Sequence, residues 1–215
     1  MRRRRLWHRG EVPRLPALAA SDLPASFSTT LDQVRDTYGY VPNSMLTMGH
    51  NPDLLAALVT LSNVVMGDGS SIPGDLRWLV AHLASRAAGC RYCMAHTGHN
   101  GAVAAGLDED KAAAAWQFEQ SDRFTPAERA AMRLAVAGGS VPNGTTDEMF
   151  EDVRGHFTDR QVTDIVAVIS IFGFLNRWND TVATELEEAP LTFGATRLAE
   201  SGWEAGKHAP EASAP

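Results

Sequence analysis

Two four-residue signals constrain the fold of this chain more than any other feature. Thr125-Pro126-Ala127-Glu128 and Thr158-Asp159-Arg160-Gln161 each set a threonine three residues before a Glu or Gln. At that spacing the hydroxyl caps a backbone N–H of the first helical turn while the longer side chain reaches back to the N-cap amide. Met132, Leu134 and Val136 follow the first box, and Gly138-Gly139 stops that helix. The second box opens an apolar helix that runs toward Asn176. Asn51-Pro52 adds an N-cap with a first-turn proline, followed by a stripe of Leu54, Leu55, Leu58 and Leu61. Asp108 can cap a short helix over Lys111 to Phe118. No turn dipeptide is flanked by alternating strands. These signals predict an all-α chain, a bundle of about eight helices.

The 215 residues suffice for a single core. Pro13, Pro16 and Pro24 make residues 1–24 an expected extended arm, with Leu15, Leu18 and Leu23 available to dock. Residues 25–190 form the expected helical domain, and residues 191–215, rich in Gly, Ala, Glu and Pro, an expected loose tail. The formal charge of −7 makes nucleic acid an unsuitable partner. Arg2 to Arg5 read as a solvated tail, because Glu11, Pro13 and Pro16 arrive before any signal-peptide core could form. The longest apolar run, Ile165 to Leu175, is interrupted by Ser170 and Gly173 and falls short of the ~20 residues of a membrane span. A cytoplasmic protein with no membrane partner is expected.

The chemistry is concentrated in Cys90-Arg-Tyr-Cys93-Met-Ala-His96. The chain has only these two cysteines. A bridge between them closes almost no loop and adds little stability, so the pair reads as redox-active, catalytic or metal-binding. The segment from Asp75 reads as a helix with Trp78, Leu79, His82, Leu83 and Arg86 on one face. Gly89 breaks it, and Cys90 to Ala105 forms the next helix, closed by Gly106. Three-residue spacing puts both thiols on one face, within disulfide reach. Free amides and the dipole at the helix start favour a thiolate, Cys90 above all, and Arg91 adds positive charge. One sulfur can then attack and the other resolve the product as a disulfide. His96, three residues after Cys93, can carry the proton.

Metal binding is the chemical rival, through Cys90, Cys93, His96 and His99. Three-residue steps turn about 300° each along a helix, so His99 points away from Cys90. A tetrahedral site would need His50, His82 or His156. No metal is therefore expected. A thioredoxin-like fold would need a strand before the motif, and the preceding segment is helical in pattern. A shift of 86 residues lays Cys90-Arg91-Tyr92-Cys93 on Asn176-Arg177-Trp178-Asn179, a short match consistent with a duplicated helical unit.

Ala88-Gly89-Cys90-Arg91-Tyr92-Cys93-Met94-Ala95-His96-Thr97 resembles the signature of the carboxymuconolactone decarboxylase and AhpD-like alkylhydroperoxidase superfamily. Tyr38 to Leu46 and Phe174 to Asp180, the latter continued by Thr184 to Glu187, resemble stretches of its peroxidase-related branch. The resemblance spans about Pro24 to Pro190. It implies an AhpD-like helical bundle, a homo-oligomer (dimer or trimer), and cofactor-free reduction of a small hydroperoxide at the expense of a dithiol reductant. It also implies that Cys93 attacks and Cys90 resolves. Two positions depart from the pattern. Trp78 stands where that branch carries a relay glutamate, and Thr97 where it carries a histidine, with His96 one place earlier. His82, Glu128 and Asp164 are the candidates to replace the missing relay group. The resemblance leaves two other readings open: a non-redox acid-base enzyme acting on a small carboxylic acid, and a redox-sensing binding module.

Overall fold

The computed structural model describes residues 13–210. Among them lie ten α-helices and no strands: α1 Ser28–Tyr38, α2 Asn43–Met48, α3 Pro52–Met66, α4 Gly74–Ala87, α5 Arg91–Ala105, α6 Glu109–Ala113, α7 Pro126–Gly139, α8 Asp147–Arg154, α9 Asp159–Val182 and α10 Glu188–Arg197. Both capping boxes form as the sequence predicts, at Thr125/Glu128 and Thr158/Gln161. Asn51 and Asp108 cap α3 and α6 through their side chains. The helices exceed the expected eight because α2 and α6 are short segments of six and five residues.

Helix α4 is the axis of the bundle. Every residue from Leu76 to Ser85 is buried. A helix apolar or small on all sides must be enclosed on all sides, and α5, α7 and α9 pack around it. Leu79 and Leu83 of α4, Met132 and Leu134 of α7, and Ile165 of α9 are among the largest fully buried side chains. Each such burial stabilises the fold by roughly 1.5–3 kcal/mol over an exposed side chain. At Gly101 an added Cβ would lie 2.8 Å from Trp78 Cβ, so glycine is what allows α4 and α5 to cross this closely.

Gly89 adopts φ +75°, a conformation that only glycine takes at little cost. It ends α4 and turns the chain so that Cys90 becomes the N-cap of α5. The 86-residue shift carries the start of α4 onto the start of α9 to within one residue. Leu175 stands in place of Gly89 in the second copy, and α9 runs on unbroken to Val182.

The described part of the arm, from residue 13, docks on a smaller apolar cluster. Leu23, Phe27, Leu31, Met48 and Leu55 are buried there, with Leu18 packed against them. The Arg14 amide donates to Val182 O at 2.9 Å, and Leu18 N to Leu46 O at 3.3 Å. Arg2 to Arg5 lie outside the described residues.

The segment after Pro190 corrects the expectation of a loose tail. It continues α10, and Leu198, Trp203 and His208 are buried. Trp203 packs on Gly194, where a Cβ would sit 2.5 Å from its ring, and donates to Arg91 O at 3.0 Å. Three widely spaced anchors hold a stretch whose Gly, Ala, Glu and Pro content concealed them.

Candidate functional site

Cys90 caps α5 through its own sulfur, which accepts the Cys93 amide at 3.5 Å. Both thiols are free and buried. They differ in what they face. Cys90 is sealed in the core at 0% exposure, while Cys93 retains 3% and lines a half-enclosed cavity of about 360 Å³. Trp78, Tyr92, His96, Phe172 and Asn179 contribute to the cavity wall, as do residues of α1 and α3. Trp78 stands edge-on to both Tyr38 and Phe172, with ring centroids 6.3 Å apart in each case. The position where the resemblance leads one to expect a carboxylate is therefore an apolar wall.

Burial pushes the Cys93 thiol well above its ordinary range, and the neighbouring Cys90 adds to the rise. This corrects the expectation of a readily ionised pair at the level of Cys93, because desolvation outweighs the helix start. The expected help from Arg91 is also absent. Its guanidinium turns outward to the carbonyls of Gly202 and Glu204.

His96 has a hydrogen-bonding partner that the sequence did not reveal. Its Nε2 donates to Glu187 Oε2 at 2.6 Å. Its Nδ1 lies 3.2 Å from the Tyr40 hydroxyl, which itself donates to Asn100 Oδ1 at 2.7 Å. With the phenolic proton committed to Asn100, the Tyr40 oxygen can accept from His96 Nδ1. Tyr92 stacks on the imidazole at 4.1 Å and donates to Glu187 Oε1 at 3.0 Å. The Asn43 amide donates to the same oxygen. Burial alone would raise the Glu187 carboxyl, but His96 and the donated hydrogen bonds hold it below the ordinary carboxylate range. The result is a part-buried, hydrogen-bonded carboxylate behind a cavity-lining histidine.

The three proposed relay residues stand elsewhere. Glu128 is engaged in the capping box of α7 and pairs with Lys111. Asp164 accepts from the Ser71 amide and hydroxyl at 2.7 and 2.6 Å, tying the loop before α4 to α9. His82 packs behind α5, with Nδ1 3.2 Å from Met94 O and 3.0 Å from Thr97 Oγ1. Burial, then the charge of Arg86, pushes its pKa down to about 4. Thr97 donates to Cys93 O at 2.7 Å and does not line the cavity. The one-residue offset between Thr97 and His96 thus decides which of them faces the cavity.

His99 turns away from the cysteines, as helix geometry requires, and lines a separate outer cleft with Tyr40 and Glu187. His50 is engaged with Pro16 O, and His156 lies near Asp152. Among the described residues no three His, Cys, Asp or Glu side chains converge as metal ligands. No helix there is long and apolar enough to cross a membrane.

Glu187 and Tyr40 fall inside the two outlying stretches that carry the family resemblance. No local pattern marks them as partners of His96, which lies 91 residues from Glu187.

The fold and the site together define an AhpD-like all-helical protein with a paired-cysteine centre. The profile of the carboxymuconolactone decarboxylase family matches residues 52–137. The chain is 34% identical to the debrominase Bmp8, covering 83% of this chain and 95% of that one, with a TM-score of 0.76. A cysteine-to-alanine variant of Bmp8 in complex with 2,3,4-tribromopyrrole gives a TM-score of 0.77 at the same identity, over 83% of this chain and 94% of that one. A peroxidase-related protein from Ralstonia eutropha JMP134 with an alkylhydroperoxidase AhpD core is 26% identical, covering 86% of this chain and 96% of that one, with a TM-score of 0.72. The uncharacterised protein YdfG of Bacillus subtilis (strain 168) is 30% identical over 112 residues, which is 51% of this chain and 73% of YdfG. The chain belongs to the carboxymuconolactone decarboxylase and AhpD-like superfamily.

Proposed function

We propose that this protein is a cofactor-free thiol enzyme that reduces a small organic hydroperoxide through Cys93. The observation that carries the reading is a shared cavity. The Cys93 sulfur and the glutamate-backed His96 line one apolar-walled space, while Cys90 lies sealed beside it. In the first step the Cys93 thiolate attacks the distal peroxide oxygen. The O–O bond breaks, His96 protonates the departing alkoxide, and Cys93 becomes a sulfenic acid. Cys90 then gives up its thiol proton and attacks that sulfur, the proton passes by way of the His96–Glu187 pair to the departing hydroxyl, water leaves, and a Cys90–Cys93 disulfide forms. A dithiol reductant restores both thiols.

The likeness to a debrominase favours a second substrate for the same machinery. The Cys93 thiolate would take the halogen from a halogenated aromatic ring held among Trp78, Tyr92 and Phe172. His96 would protonate the ring carbon, and Cys90 would displace halide to give the same disulfide. Turnover of an organic hydroperoxide and of a polybrominated pyrrole, each with dithiothreitol, decides between them. Hydroperoxide turnover that is lost in both Cys90→Ser and Cys93→Ser supports the first reading. Bromide release without hydroperoxide turnover supports the second. Activity on a small carboxylic acid that survives alkylation of both thiols contradicts both.

A further inference from the structure

The proton pair does not use the amide of Asn179, yet it touches the Cys93 sulfur. Asn179 lies near the end of α9 and is 1% exposed. Its Nδ2 donates to Cys93 Sγ at 3.4 Å, an ordinary length for a hydrogen bond to sulfur. A buried amide can present either its oxygen or its nitrogen to a neighbour. The Thr184 hydroxyl donates to Asn179 Oδ1 at 2.8 Å, and the N–H side faces the sulfur. Thr184 reaches that oxygen because Ala183, at φ 53°, ends α9 in a left-handed turn. The Thr184 amide then returns to Asn179 O at 3.1 Å. Thr184 is itself fully buried, and its carbonyl lies 2.7 Å from His208 Nδ1. The C-terminal segment thus braces the turn that orients the amide.

Cys93 and Asn179 are separated by 86 residues, the offset of the sequence repeat. The two halves of the bundle therefore meet at equivalent positions, one carrying the thiol and the other an amide donor.

An N–H donor favours an anionic sulfur over a neutral thiol. The other groups around Cys93 are Cys90, Tyr92 and His96 on α5, Asp180 on α9, and Glu187 beyond it; α4 offers the apolar Trp78. Burial, Cys90 and Asp180 push the thiol up, and the Asn179 amide pulls it back. We infer that Asn179 is a catalytic residue of this centre, its amide holding the Cys93 sulfur as the attacking thiolate, and that Thr184 is the positioning residue that fixes the amide's orientation. The inference rests on the reading in which Cys93 attacks.

The test is a titration that needs no substrate. In a Cys90→Ser background, ultraviolet thiolate absorbance is followed against pH for the single remaining thiol. Asn179→Leu and the isosteric Asn179→Asp should raise the midpoint by about one unit or more, roughly a tenfold loss of thiolate at fixed pH. Thr184→Val, which removes the hydroxyl at constant volume, should shift the midpoint in the same direction. Thr184→Ser should restore it. Thermal melting of each variant confirms that the fold is intact. Midpoints of Asn179→Asp, Asn179→Leu and Thr184→Val that coincide with the parent would overturn the inference. Wild-type turnover is measured in parallel. A shifted titration with no turnover on hydroperoxide or bromopyrrole rejects the functional reading and keeps the amide's role. An unshifted titration with full turnover does the reverse.

Discussion

In the proposed mechanism, His96 and Glu187 keep a proton relay while its residues change position. Trp78 has no ionisable group, and Thr97 is turned into the core. The carboxylate instead arrives from the turn beyond α9, braced by Tyr92 and Asn43. General acid–base groups of this kind contribute about 10²–10⁴-fold. Glu187→Gln, which keeps the volume and one acceptor, should therefore lower kcat by roughly 100-fold or more. Steady-state turnover measures this, and Cys93 alkylation in the variant should remain close to wild type. Cys90→Ser should allow one oxidation per chain and then stop, because no partner thiol resolves the product. Rapid-quench kinetics on the pre-reduced variant without added thiol should report one peroxide consumed per chain and a sulfenic acid, where wild type gives a disulfide. At this scale the cysteines and His96 were legible in the sequence, because short-range helical spacing alone brings them together. Glu187, Tyr40 and Asn179 were not. Each reaches the site from another part of the chain through packing. Glu128 and Asp164 looked equally suitable in sequence, and local caps and loop contacts occupy them instead.

At the level of elements, the helix starts carried the most readable information. The capping boxes before α7 and α9 and the breaks at Gly89 and Gly106 stand where the sequence sets them. Such signals involve residues three or four apart and owe little to tertiary context. Replacing the hydroxyl in Thr158→Ala should cost about 1 kcal/mol of stability without touching the site. Denaturant unfolding should show the lower midpoint at unchanged thiol reactivity. The Gly101 crossing makes a contrasting prediction. Gly101→Val drives its side chain into Trp78, which lines the cavity. Overpacking costs typically about 1–3 kcal/mol. Both stability and turnover should therefore fall, whereas the capping variant changes stability alone. The stretch beyond Pro190 was unreadable because its anchors, Leu198, Trp203 and His208, recur at five-residue steps that match neither the helical nor the strand period.

Across the whole molecule, the dense burial around α4 couples stability to pH. His82 is enclosed and held neutral down to about pH 4. In the unfolded chain the same imidazole takes up a proton near its ordinary 6.5. The unfolded state thus binds more protons as pH falls below about 6.5, and stability declines until the folded pKa near 4 is reached. The full effect is on the order of 3 kcal/mol. His208, also pushed down by burial, acts in the same direction. Urea unfolding at pH 7 and pH 5 should show about 2 kcal/mol of this loss in wild type and a smaller one in His82→Gln. In the proposed mechanism the same packing selects the attacking thiol, because Cys90 is sealed in the core and Cys93 faces the cavity. The most direct measurement of that assignment is a single oxidation. Reduced Cys90→Ser and Cys93→Ser proteins are each given one equivalent of an organic hydroperoxide with a sulfenic-acid trap, and the adduct is located by peptide mass spectrometry. A trapped adduct on Cys93 in the first protein, and none on Cys90 in the second, is the predicted result. An adduct on Cys90 alone would contradict it.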